Sequence, residues 1–134
     1  MNNTLRKSAY IASFFSGAML IYIGTLFFLT PAAAEAGYGV HTGQHSVFAF
    51  HYIKGIRDFA SGLLMLVLLL NKEFRALGWL MICMGIIPVT DFLIVLNDAH
   101  QFTNALYAHA IAVILCFLLG AYYLFTIKKP VNAF

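Results

Sequence analysis

The stretch YIKGIRDFASGLLMLVLLL, residues 52–70, opens with Lys54, Arg57 and Asp58 and continues as an unbroken apolar run. Three charges at the head of such a run are costly if the segment enters a bilayer, and the rest of the sequence says that it does. Of the 134 residues, 62% are hydrophobic and only 10% are charged. The mean hydropathy is +0.86, far from the balance of a soluble domain. The apolar runs consume most of the chain, so any function has to reside among the helices or on their short connections.

Four runs, residues 8–30, 51–71, 75–97 and 103–127, are each close to the ~20 residues that a membrane-spanning helix requires. The expected fold is an all-α membrane protein: a four-transmembrane-helix bundle forming one domain over residues 1–134, with a loop at 31–50, a tight NKEF turn and a short DAHQF connection. Arg6 and Lys7 precede the first run, Lys72 and Arg75 flank the NKEF turn, and Lys128 and Lys129 follow the last run. All three clusters fall on one face. By the positive-inside rule that face is cytoplasmic, so both termini are expected inside and the 31–50 loop outside, in a multi-pass protein of the cell (plasma or inner) membrane. Tyr10, Trp79, Tyr122 and Tyr123 then mark the inner boundary, and Tyr38, Tyr52 and Tyr107 the outer one. LRK followed by an apolar run and PAAAEAG also resembles a cleavable secretory signal, but the run is long for one, and an uncut first helix is expected.

Six of the eight basic residues thus act as topology signals, leaving Lys54 and Arg57 for another purpose. The five histidines, His41, His45, His51, His100 and His109, all fall on the outward side, as do Glu35, Asp58, Asp91 and Asp98, with only Glu73 on the inner face. Helix rise of about 1.5 Å per residue puts Arg57, Asp91 and His109 all roughly 9 Å below the outer boundary, with Asp58 one residue deeper. Successive residues turn by about 100°, so Lys54, Arg57, Asp58 and Ser61 share one stripe. Asp91 and Asp98 share a face of the third run, with Met84 and Val95, and His109 shares its face with Ala105, Ala112, Val113 and Cys116. Charges at such depth are stabilised by pairing, and Arg57 with Asp91 or Asp58, His109 close by, is the expected arrangement of this intramembrane charge cluster, the Arg57–Asp91 pair being the one expected to carry stability. Pro88, three residues before Asp91, frees the Met84 carbonyl and predicts a kink.

Ser13 and Gly17, Gly55 and Gly62, and Gly78 and Gly85 recur at the spacings that close helix approach prefers. Cys83 and Cys116 read as buried, inert thiols, and with no CxxC pattern dithiol chemistry is not expected. HTGQH, His51 and His100 offer imidazoles at a spacing that does not fix ligand geometry, so no metal site is assigned to His41, His45, His51 or His100. Imidazoles lining a cavity mouth, or sensing pH, account for them equally.

GIRDFASGLLMLVLLL, RALGWLMICMGIIPVTDFLIVLND and YAHAIAVILCFLLGAYYL together resemble the DUF4267 family, small four-helix membrane proteins that look related to the broader DoxX-like group. The resemblance covers most of the chain from the second helix onward and implies fold and topology. The DoxX-like link implies a redox or quinone association by analogy alone.

Three function classes fit. In the first, Arg57, Asp58, Asp91 and His109 act by acid/base chemistry on a small lipophilic molecule in an outward-facing pocket that Lys54, His51, Asp98 and Ser61 help to line. The second is proton-linked transport through Asp91 and His109, weakened by the lack of a polar path through the inner half. The third is a structural or accessory subunit whose charged layer fixes helix register. Whether a reaction is catalysed, which cofactor serves it, and whether the chain forms a homo-oligomer stay open; the bilayer is the expected partner and nucleic acid is not.

Overall fold

The computed structural model describes residues 3–40, 43, 47–99 and 103–126. His41, His45, His100, Lys128 and Lys129 lie outside them. The described residues form α1 (Asn3–Leu29), α2 (Pro31–Tyr38), α3 (Ala49–Leu70), α4 (Phe74–Met84), α5 (Ile86–Ala99) and α6 (Asn104–Thr126). Three helical stretches are long and apolar enough to cross a membrane: α1 with 27 residues, the α4–α5 stretch Phe74–Asp98 with 25, and α6 with 23. They leave large apolar side chains such as Phe15, Ile111 and Leu118 exposed, as lipid-facing surfaces do. α3 is of similar length, 22 residues, and differs by carrying Lys54, Arg57 and Asp58.

Two features depart from the expected pattern. Thr30 precedes Pro31, and the proline ring pushes it out of helical geometry (φ −139°, ψ 62°), so α1 ends at Leu29. The chain then starts a separate helix, α2, inside what was expected to be a loop. Secondly, the third run is interrupted at Gly85, three residues before Pro88. Pro88 has no N–H to give the Met84 carbonyl, and the glycine beside it is a weak helix former. The Val89 N–H reaches the Gly85 carbonyl only at 3.4 Å, against 2.9 Å for Gly85 to Met81 just before the interruption.

α1 lies along α3, and α4 and α5 lie along α6, while contacts between these two pairs are far fewer. Glycine makes the first pairing close. A Cβ at Gly62 would stand 2.5 Å from the Gly17 carbonyl, and one at Gly24 only 2.6 Å from the Gly55 carbonyl. The small-residue spacing at Gly17, Gly55 and Gly62 is therefore a helix interface, with no site attached to it.

The pairs join at one end around Tyr123, which is 2% exposed. Leu69, Leu77, Met81, Met65 and Leu119 surround it, Phe74 stacks on its ring at 5.6 Å, and its hydroxyl meets Ser13 Oγ at 3.0 Å. Tyr123 is therefore a core residue and not the interfacial anchor its position suggested. Cys83, expected to be buried, is exposed, and Cys116 is half-buried. At the other end, Tyr38 and Gly39 at the close of α2 touch helices of both pairs.

Candidate functional site

The charges of α3 pair with one another. Lys54 Nζ donates to Asp58 Oδ2 in a close ion pair, and Arg57 Nε donates to Asp58 Oδ1 at 3.2 Å. One turn separates Lys54 from Asp58, which lets the lysine reach the carboxylate along its own helix. Asp58 is buried, whereas 42% of the Arg57 side chain stays exposed. Ser61 donates to the Arg57 carbonyl at 2.6 Å, closing on its own backbone as well. The expected bond from Arg57 to Asp91 is thus replaced by one to Asp58, the other partner considered. The adjacent carboxylate is already engaged with Lys54 and lies within reach without any crossing of the space between helices.

Polar groups from α3, α5 and α6 converge on Tyr38, the last residue of α2. Lys54 Nζ sits over its ring at 4.2 Å from the centroid, and over the Phe27 ring at 4.7 Å. The Asp91 carboxylate of α5 lies close enough to the Tyr38 hydroxyl to oppose its ionisation. His109 Nε2 donates to the Tyr38 carbonyl at 3.2 Å, and its imidazole meets the phenol ring edge-to-face at 4.6 Å. A carbonyl only accepts, so this bond keeps a proton on Nε2 of His109. Burial, first, and then the neighbouring Asp91 carboxylate hold the Tyr38 phenol well above its ordinary pKa. Gly39 completes the insertion: its φ of +90° ends α2 in the left-handed region, and a Cβ there would meet the Ala105 Cβ at 2.6 Å.

A second contact fastens α2 to α3. Glu35 Oε2 lies 2.5 Å from His51 Nε2, and His51 is 7% exposed between the rings of Phe27 and Phe48. Its Nδ1 is buried without a hydrogen-bond partner among the described residues. Of the imidazoles weighed as metal ligands, only His51 is described, and its Nε2 is engaged by Glu35. Among the described residues no three His, Cys, Asp or Glu side chains gather around a common point.

A cavity of about 370 Å³ opens at the same end, lined by Val40, Thr90, Leu93, Ile94, Asn97 and Asp98. Lys54 and His109 are not among its lining and meet Tyr38 instead. Asp98 does line it. Tyr38 contacts Asp91 while Val40, two residues on, faces the cavity, so the short segment 38–40 separates the polar layer from open space.

Tyr38 and Glu35 are the two members of this layer whose roles composition and depth did not reveal, and a local signal for them existed. In PAAAEAGYG, residues 31–39, Pro stands at the first helical position, alanines follow and Gly closes the segment. That is the pattern of a short capped helix.

A family model described as a domain of unknown function, DUF4267, matches residues 17–123, from the middle of α1 into the last turns of α6. Searches of curated proteins and of solved structures find no match.

Proposed function

Because this chain belongs to the DUF4267 family, which carries no activity in its description, we propose its function from the site's own geometry. It is an integral membrane protein with an outward-facing polar site that binds a small lipophilic molecule, and α2 covers that site. α3 is the fourth span, its charges compensated within the helix so that they can enter the bilayer. The basic residues Arg6, Lys7, Lys72 and Arg75 put both termini and the Lys72 turn on the cytoplasmic side. Kinship with the DoxX-like group belongs to the same proposal and rests on the sequence motifs alone.

One observation carries this reading. The ion pairs of the polar layer either lie within α3 or join it to α2, and Asp91, His109 and Lys54, from three different helices, all reach for the same α2 tyrosine. Side chains acting only to fix register would pair directly across the spanning helices. Here they line a space filled by a short, separately initiated segment. When α2 lifts, Asp91 and His109 become a proton acceptor and a proton donor facing one guest, with Lys54 on its flank; Asp58, itself bonded by Arg57, holds Lys54 in place.

The test is to extract protein purified from its native membrane and identify bound small molecules by mass spectrometry. A lipophilic compound should accompany the wild-type chain and be lost from Asp91→Asn and His109→Gln, with both variants unfolding within a few degrees of wild type. If the variants instead lose thermal stability and wild type carries no compound, the layer is structural.

A further inference from the structure

The α2 end holds more acid than base. Among the described residues, Glu35, Asp58, Asp91 and Asp98 face only Lys54 and Arg57. Asp58 takes both basic side chains and Glu35 takes His51. Asp91 has a neutral phenol beside it, and among the described residues no hydrogen bond or ion pair engages Asp98. These two carboxylates are a heptad apart on α5, Asp91 beside Tyr38 and Asp98 in the cavity lining with Val40. Asp98 stands in the last turn of α5, where the helix leaves the apolar layer, at the rim of the cavity whose walls are Val40, Leu93 and Ile94.

We infer that this cavity takes a lipophilic cation, a single-chain amphiphile with an ammonium head against Asp98 and its hydrocarbon tail along Val40, Leu93 and Ile94. The inference adds a second seat beside the polar site proposed above, across the segment 38–40, and rests on that reading for its outward orientation. Charge complementarity selects the head: a carboxylate without a basic partner, beside low-dielectric walls, attracts a cation and repels an anion. Thr90 and Asn97 add only neutral polar groups to the rim. Volume suits the tail, because about 370 Å³ accommodates one short chain. The open mouth suits entry from the outer leaflet without passage through the polar layer.

The experiment is equilibrium dialysis of the purified full chain in a neutral maltoside detergent, with radiolabelled decyltrimethylammonium, decanol and decyl sulfate as probes of equal chain length. Wild type should hold the ammonium probe about tenfold more tightly than decanol, and decyl sulfate more weakly still. Asp98→Asn should erase the preference among head groups. Ile94→Trp, or Leu93→Trp if the first does not fold, should expel the ammonium probe and decanol alike by filling the groove. Phosphatidylethanolamine, an ammonium on a two-chain lipid, should not compete; displacement by it would overturn the assignment in favour of a lipid seat. If wild type holds decanol as well as the ammonium and tryptophan expels both, the cation class is wrong while the lipophilic site stands. If neither tryptophan variant changes retention, the groove is not a binding site and this inference fails with it.

Discussion

Tyr38 and Tyr123 sit at opposite ends of the same helical assembly, and their surroundings differ in kind. Tyr123 belongs to a spanning helix, is 2% exposed, and gives its hydroxyl a neutral partner in Ser13 while leucines and methionines fill the space around it. Tyr38 ends a short helix of eight residues, and its partners are a lysine, an aspartate and a histidine from three other helices. Both rings close a gap between the α1/α3 pair and the α4–α5/α6 pair. At the Tyr123 end the gap is closed by residues that have no alternative position, because the long helices fix them. At the Tyr38 end it is closed by a segment with its own start at Pro31 and its own stop at Gly39. Lipid tails are as apolar as leucine, so packing and hydrogen bonds hold such an assembly together. The difference between the ends is accordingly one of how many well-packed contacts each would lose on opening.

The contrast can be broken most forcefully at the Tyr123 end. Leu77→Ala empties a fully buried position and should cost about 2 to 5 kcal/mol in reversible unfolding. Loss of less than Tyr38→Ala causes, in the same detergent, would reverse the ranking of the two ends.

A smaller effect sharpens the account of the charged layer. A double-mutant cycle on Lys54 and Asp58 should give a coupling of about 1 to 3 kcal/mol, since both are shielded and bonded to each other. The corresponding cycle on Arg57 and Asp91 should be additive within about 0.5 kcal/mol. Coupling there comparable to the first cycle would restore a bond across the helices and, with it, the register reading. At the other end Ser13→Ala should cost only about 0.6 kcal/mol, the usual value of one hydrogen bond between membrane helices.

The smallest expected effect is one of pH. An unfolded tyrosine ionises near pH 10, roughly, whereas burial and Asp91 keep Tyr38 protonated beyond that. Above about pH 10 the folded state therefore binds more protons than the unfolded one. This contribution is fully present below that pH and is lost as pH rises through the folded value. Tyr38→Phe should make the alkaline decline in stability shallower, and an unchanged slope would remove Tyr38 from the account.

Much of this was legible in the residues, and the physics says why. Hydropathy finds the helical runs because a bilayer demands length and apolarity. Glycine spacing finds the α1/α3 contact because close backbones leave no room at Gly17 and Gly62 for a side chain. Pro88 announces a disruption, but its place at Gly85 depends on which neighbouring residue yields most easily, and that is a local competition. The charged layer was found by depth, and Arg57 with Asp58 was one of the two pairings expected, but level could not choose between them: Arg57 and Asp91 share a level, and level says nothing about which carboxylate is nearer. Tyr38 escaped because hydropathy reads PAAAEAGY only as a break between spans. The capping residues that define it as a helix carry no information about which gap it will fill.

The most direct test of α2 as a separable cover uses single thiols in a chain whose Cys83 and Cys116 have been replaced by serine. Val95→Cys puts a thiol under Gly39, and Met81→Cys puts one near Tyr123; both positions are almost fully buried. Reaction with a membrane-impermeant maleimide should be slow at both sites in an otherwise unchanged chain. Adding Tyr38→Ala should raise the rate at position 95 by about tenfold and leave position 81 unaffected, as expected for opening confined to one end. An unchanged rate at 95, or an equal rise at both sites, would contradict the account.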